Sequence, residues 1–157
     1  MKNGELHTLI DLLERSCLKF PENAYLWEKR EGGYRSVTYR QARREVGDVA
    51  AGLLAGGLQK GDRVALLSEG CNDWVFAELG ILYAGGVNVP LSIKLTDKEL
   101  IFRVRHSGAR FLIVSDYYVA TLRRIEAELP EIEKIYVIRY SSAEEGKYNS
   151  FERLKDE

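Results

Sequence analysis

GDRVALLSEGCNDWVFAELGILYAGGVNVP, residues Gly61 to Pro90, decides the fold. The turn Lys60-Gly61-Asp62 leads into an apolar β-type run from Arg63 to Leu67. A polar break covers Ser68 to Asp73, and Trp74 to Ala84 carries a helical pattern. Gly85-Gly86 then releases the chain into a short strand, Val87 to Val89, because glycine alone enters positive φ cheaply. Two strands joined by a helix of this length pair in parallel only through a right-handed crossover. The stretch is therefore the seed of an open α/β sheet.

Upstream, Leu6, Leu9, Ile10, Leu13 and Cys17 recur at helical spacing, which predicts an amphipathic helix over residues 5 to 18, ending near Pro21. Ala24 to Lys29 and Tyr34 to Val37 read as strands about Gly32-Gly33, a hairpin signal. Thr38-Tyr39-Arg40-Gln41 has the form of a capping box. The helix that it opens buries Ala42, Val46, Val49, Ala50, Leu53 and Leu54 and ends at Gly56-Gly57. Arg40, Arg43 and Arg44 at its start read as a solvated face.

Downstream, Thr96-Asp97-Lys98-Glu99 forms a second capping box, flanked by Leu95 and Leu100 as a hydrophobic staple. That helix runs to about Ser107, with Gly108 as terminator. Phe111 to Val114 is a buried-type strand. Asp116 is placed to cap a helix carrying Val119, Leu122, Ile125 and Leu129 until Pro130 stops it. Ile135 to Ile138 is a further strand, Ser141 to Asn149 is polar and loop-like, and Ser150 to Leu154 offers a last helical turn. From residue 38 helix and strand alternate strictly. The expected class is α/β: an open, mostly parallel sheet flanked by helices on both faces, with a small N-terminal hairpin.

With 157 residues and 45% apolar content, one domain with a true core is expected. A net charge of −1 gives no electrostatic reason for a nucleic-acid partner. No apolar run approaches the roughly 20 residues of a transmembrane segment, and the first residues lack the order of a signal peptide. Cys17 and Cys71 stand far apart and read as reduced thiols, so the expected location is cytoplasmic.

Few residues suggest chemistry. Neither G-x-G-x-x-G nor G-x-x-x-x-G-K-[ST] occurs, and His7 and His106 stand alone without metal-ligand spacing. Ser68 lacks the preceding glycine of a nucleophile elbow, and nothing adjacent in sequence would depress the pKa of Cys71. Glu69 and Asp73 follow a strand at its carboxyl end, where open α/β sheets hold ligands, although capping by Asn72 or Asp73 accounts for the same residues.

Thr38-Tyr39, Gly61-Asp62-Arg63-Val64, Trp74 and Gly85-Gly86-Val87-Asn88-Val89-Pro90-Leu91 together resemble the opening of adenylate-forming acyl-CoA synthetases. Leu6-His7-Thr8-Leu9, Phe20-Pro21, Leu66-Leu67-Ser68-Glu69 and Ser107-Gly108-Ala109-Arg110 are similar to the bacterial long-chain fatty-acid–CoA ligases in particular. The resemblance covers about residues 6 to 140.

It implies an enzyme that activates a fatty acid with ATP and Mg2+ to an acyl-adenylate and passes the acyl group to CoA. The family's phosphate loop, ribose-binding Asp and catalytic Lys come later than residue 157. The resemblance thus implies that residues 1–140 are an incomplete N-terminal subdomain, followed by a loop and short helical tail over 141–157. It implies no catalytic residue here and an inactive fragment, without metal of its own. Gly70-Cys71-Asn72 and Ser92-Ile93-Lys94 depart from the long-chain pattern. In a related aryl-CoA ligase branch a basic residue at the position of Lys94 approaches the CoA nucleotide phosphate, which makes Lys94 the one cofactor-binding candidate, as an ammonium point charge. The alternatives are an adenylating ligase for an aryl or amino acid, or a non-catalytic interaction module. A sheet without its neighbours would expose apolar faces and an edge strand, so self-association is expected.

Overall fold

The structure, a computed structural model, describes residues 6–140 and 148–155. Its centre is the five-stranded sheet expected from the Gly61–Pro90 stretch. The strands are β3 (Arg63–Leu67), β4 (Val87–Pro90), β5 (Phe111–Ser115), β6 (Lys134–Ile138) and β7 (Asn149–Ser150). Their order is β4-β3-β5-β6-β7, and every pairing is parallel.

Alternation of side chains across the sheet divides the interior in two. Val64 and Leu66 of β3, with Phe111 and Ile113 of β5, face α2 (Tyr39–Ala55) and α3 (Asn72–Tyr83). Ala65, Leu67, Leu112 and Val114 face α4 (Asp97–Ser107) and α5 (Val119–Ile125). Strands covered on both sides should be largely apolar, as β5 is: all five of its residues are buried and only the last, Ser115, is polar. Each large side chain so buried contributes roughly 1.5–3 kcal/mol of transfer free energy.

The organising stretch closes as its sequence suggests. Gly85 has φ +81, and its carbonyl accepts from the Gly61 N–H at 2.9 Å, so the turns that precede β3 and β4 meet. α4 begins with the capping box at Thr96 and Glu99 and ends at left-handed Gly108. α2 likewise begins with the box formed by Thr38 and Gln41. The hairpin pairs β1 (Ala24–Arg30) with β2 (Gly33–Thr38), antiparallel, with Trp27 opposite Ser36.

Several boundaries differ from expectation. The first helix, α1 (Leu9–Lys19), starts at Leu9 and not at residue 5, because Thr8 and Asp11 make a capping box of their own. Thr8 Oγ1 accepts from the Asp11 N–H, and Asp11 Oδ2 accepts from the Thr8 N–H, each at 3.0 Å. α3 starts at Asn72, two residues before Trp74. Cys71 occupies the N-cap without a side-chain bond, so neither Asn72 nor Asp73 caps this helix.

The helix expected from Asp116 to Leu129 is broken into a 3-10 turn (Asp116–Tyr118), α5 and a second 3-10 turn (Glu126–Glu128). Ser115, not Asp116, stands at the cap position, and its hydroxyl is used elsewhere. Leu129, which precedes Pro130, leaves helical backbone at φ −121, ψ 53. Of the expected loop from Ser141 to Asn149, residues 141–147 lie outside the described residues. Tyr148 is buried, and Asn149 belongs to β7.

The last turn, α6 (Phe151–Leu154), is part of the core, with Phe151 and Leu154 buried against α2. Gly52 makes the approach possible. A Cβ built there would lie 1.8 Å from the Leu154 carbonyl oxygen.

Candidate functional site

The strand order places one crevice where open α/β sheets hold ligands. From β3 the chain crosses to β4 on one side, then returns past β3 to form β5 on the other, and continues outward. The connections leaving β3 and β5 therefore diverge at their carboxyl ends, which is the topological switch point of the sheet.

Ser68, Glu69 and Cys71 follow β3 at this crevice, while Ser115 ends β5 and Tyr117 and Tyr118 follow it. Ser115 is 1% exposed, and its Oγ donates to Glu69 Oε2 at 2.6 Å, tying the two strand ends together. Ser68 Oγ donates to the Glu69 carbonyl oxygen at 2.9 Å and lies 3.9 Å from Cys71 Sγ. Burial pushes the Tyr118 hydroxyl above its ordinary range, with the Glu69 carboxylate adding to the effect.

The Cys71 thiol is also raised, chiefly by burial, although the Trp74 N–H and Ser68 act in the opposite sense. A raised thiol is a poor nucleophile at neutral pH, so Cys71 is placed but not activated. Cys17 is raised by burial too, and its Sγ donates to the Tyr39 carbonyl oxygen at 3.3 Å. Ser68 has no described histidine partner. Neither sulfur nor hydroxyl here has the neighbours of a covalent catalyst.

Asp73, in the first turn of α3, serves a different cluster. Arg139 Nε donates to Asp73 Oδ2 at 3.2 Å and the Arg139 Nη2 donates to Glu28 Oε1 of the hairpin. Arg30 pairs with Glu28 at 2.7 Å, and Lys155 pairs with Glu45 at 2.9 Å while standing 3.9 Å from Asp73 Oδ1. Arg139 has φ 58, and its N–H donates to Glu152 Oε1 at 3.0 Å. This cluster joins the hairpin, α3, β6 and α6. It borders a cavity of about 360 Å³ lined by Arg30, Gln41, Asn72, Asp73 and Lys155 among others.

The described residues do not fit a nucleoside triphosphate at this end of the sheet. The crevice presents the Glu69 carboxylate, and Arg30, Arg139 and Lys155 are neutralised by Glu28, Asp73 and Glu45. Triphosphate binding needs free cations and backbone donors. Among the described residues, no group of three or more His, Cys, Asp or Glu could hold a metal ion.

Lys94 lies in the exposed loop between β4 and α4, and its N–H donates to Ser92 Oγ at 3.2 Å. His7 is exposed at the start of α1, and His106 is exposed on α4, stacked on Phe102. Glu69 and Asp73 are thus near one sheet edge but bonded into separate clusters. Ser115, Tyr118 and Arg139 were missed in the sequence. Position after a strand was their only signal, and a single sequence does not reveal which strand ends abut.

The sequence profile of the AMP-binding enzyme family matches residues 13–157. The chain belongs to this family. The chain is 28% identical over 137 residues to a crotonobetaine/carnitine–CoA ligase of Citrobacter koseri, covering 87% of this chain and 26% of that protein. It is 32% identical over 114 residues to the acyl-CoA ligase sidI of Aspergillus fumigatus, covering 71% of this chain and 18% of that protein. The crystal structure of the anthranilate CoA ligase AuaEII in complex with anthranoyl-AMP superposes with a TM-score of 0.87 at 28% identity. That match covers 98% of this chain and 29% of AuaEII.

The chain therefore spans between 18% and 29% of the length of these relatives. The relatives' names range over carnitine-type, acyl and aryl acids, so membership of the adenylate-forming ligases is firm while the long-chain branch is not singled out. No helix among the described residues is long and apolar enough to cross a membrane.

Proposed function

We propose that this chain is the N-terminal scaffold of an AMP-forming acyl-CoA ligase whose parent enzyme uses ATP, Mg2+ and CoA. The parent joins a carboxylic acid to AMP with release of pyrophosphate, then transfers the acyl group to the CoA thiol. A long-chain fatty acid is the first candidate substrate, on the sequence resemblance carried by Leu66-Leu67-Ser68-Glu69 and Ser107-Gly108-Ala109-Arg110. The carrying observation is the family match over residues 13–157. The internal pairing of the cations near the sheet's carboxyl edge supports a scaffold role, since it leaves them no charge for a triphosphate.

The 157-residue chain is accordingly silent by itself, and the reaction belongs to the longer protein in the cytoplasm. ATP–pyrophosphate exchange with a panel of fatty, aryl and amino acids tests this directly. No exchange is expected from the chain, and exchange strongest with long-chain acids is expected from the parent. Exchange by the chain alone overturns the scaffold reading; a parent that prefers aryl acids overturns the substrate.

Lys94 is assigned a contact with the nucleotide phosphate of CoA. An exposed ammonium on a loop leaving the sheet's carboxyl edge can supply such a contact without rearranging the core. In the parent enzyme Lys94→Ala should raise KM for CoA about tenfold, the scale of one charge-assisted contact, with KM for ATP unchanged. An unchanged KM for CoA removes the assignment.

A further inference from the structure

The hairpin turns one exposed face away from the core. Trp27 pairs with Ser36 and Lys29 with Tyr34, so register places these four side chains on one side of the ribbon, and all four are exposed. The other side carries Leu26 opposite Val37, both packed against the core, and Glu28 opposite Arg35. Glu28 is held by Arg30 and Arg139, which fastens the ribbon from beneath and fixes its outer face in place.

Trp27 is 63% exposed and Tyr34 70%, although rings of this size ordinarily bury their area. They stand diagonally across the two strands, two residues off register, which sets them roughly 7–8 Å apart along the backbone. Among the described residues neither ring stacks on another, and Lys29 has no carboxylate partner. Two diagonal rings without contact between them leave room for a third ring-shaped group. Each of the four side chains carries a hydrogen-bond donor: the indole N–H, two hydroxyls and an ammonium. None is aliphatic, and none is a carboxylate.

We propose that this face binds a proline-rich segment of a partner protein, in polyproline II form and with an acidic residue beside the prolines. Such a segment has no internal hydrogen bonds, so its carbonyls are free acceptors for the indole N–H and the hydroxyls. Its flat apolar rings pack between exposed aromatic side chains, and its backbone loses little freedom on binding because it is already extended. The acidic residue takes the Lys29 ammonium. A lipid surface fits less well. The face has no aliphatic side chain to enter the acyl region, and the single cation on it supplies little attraction to anionic headgroups.

The inference rests on the hairpin alone, so failure of the exchange assay above leaves it standing. Fluorescence anisotropy tests it, with the 157-residue chain titrated into a labelled proline decamer that has glutamate at both ends. The comparisons are a glycine–serine decamer with the same ends, a proline decamer with lysine ends, and vesicles of phosphatidylcholine with phosphatidylserine. The glutamate-ended proline peptide should bind at least about tenfold tighter than the glycine–serine peptide, and Trp27→Ala should remove that gain. Its binding should shift one indole N–H signal in NMR, the one that Trp27→Phe deletes. Lys29→Glu should abolish the preference for glutamate over lysine ends, a factor of about two to five. These side chains are exposed, so far-UV circular dichroism should be unchanged in each variant. Equal affinity for the glycine–serine peptide overturns the proposal, as does binding that survives both Trp27→Ala and Tyr34→Ala. Capture by the vesicles with none by the proline peptide overturns it in favour of a lipid surface.

Discussion

Arg139 Nε lies 3.2 Å from Asp73 Oδ2 and thereby fastens the end of β6 to the first turn of α3. The same guanidinium reaches Glu28, so one side chain holds three separate parts of the chain. It does so from φ 58, a backbone setting that costs a non-glycine residue on the order of 1 kcal/mol or more.

Arg139→Ala should therefore destabilise the fold by about 1.5–3 kcal/mol, since it leaves Glu28 and Asp73, each nearly buried, short of a partner. Arg139→Gly loses the same pairs but relaxes the backbone. Urea denaturation should place the glycine variant about 1 kcal/mol above the alanine variant. Equal midpoints for the two would show that the left-handed setting stores no strain.

Gly52 and Leu154 give a second case. With the Leu154 carbonyl oxygen 1.8 Å from any added Cβ, Gly52→Ala must displace α6. A loss of about 2 kcal/mol or more is expected, together with faster proteolysis around residues 148–155. Phe151→Ala, in the same seam, should cost about 3–5 kcal/mol through its cavity. If Gly52→Ala melts with the parent chain, α6 is not seated as described.

These two sites also mark where the sequence stops being legible. Capping boxes at Thr38 and Thr96 and the glycines after each helix are local signals, so α2, α4 and β3 could be placed from their own residues. Thr8 and Asp11 made such a box as well, but the apolar spacing of Leu6 drew the predicted start of α1 upstream. Arg139 and Asp73 are 66 residues apart, and nothing local to either names the other. The same holds for Ser115 and Glu69, whose bond depends on β5 lying beside β3, a fact of strand order. The burial of Phe151 was hidden for another reason: a four-residue helix shows no periodicity.

Acid should weaken the fold in a defined window. Hydrogen bonds from Arg124 hold Asp97 below the usual carboxylate range, those from Thr96 do so for Glu99, and those from Arg110 for Glu133. A carboxylate with a depressed folded pKa stabilises above its unfolded pKa and ceases to do so as pH falls through the folded value. The contribution is thus complete above about pH 5 and lost progressively below about pH 4. Asp97→Asn should lower the melting temperature at pH 7 to 8 and leave it unchanged below about pH 3, so that the curve is flatter over that interval. A curve as steep as the parent's would assign the acid sensitivity to other groups.

Thiol chemistry tests the crevice. Both cysteines have raised pKa values through burial, so an aromatic disulfide reagent at pH 8 should label neither rapidly in the native chain. Unfolding in urea should increase the labelling rate of both by at least about tenfold. Rapid native labelling of Cys71 would restore it as a reactive group at the switch point.

Self-association is expected by one of two routes, a sheet edge or an open helix face. The outer edge of β4 is a weak template: Val87 and Leu91 donate toward β3, which turns Asn88 and Pro90 outward, and Pro90 has no N–H. At the far edge β7 is only two residues long. The faces are more open. Leu9 and Leu12, one turn apart on α1, are 59% and 47% exposed. Burial of such side chains between copies is the stronger drive. Sedimentation velocity should show concentration-dependent association that Leu9→Glu with Leu12→Glu reverses, while Asn88→Lys at the edge leaves it intact. Reversal by the edge variant alone would transfer the contact to β4, and a monomer at every concentration would remove self-association altogether.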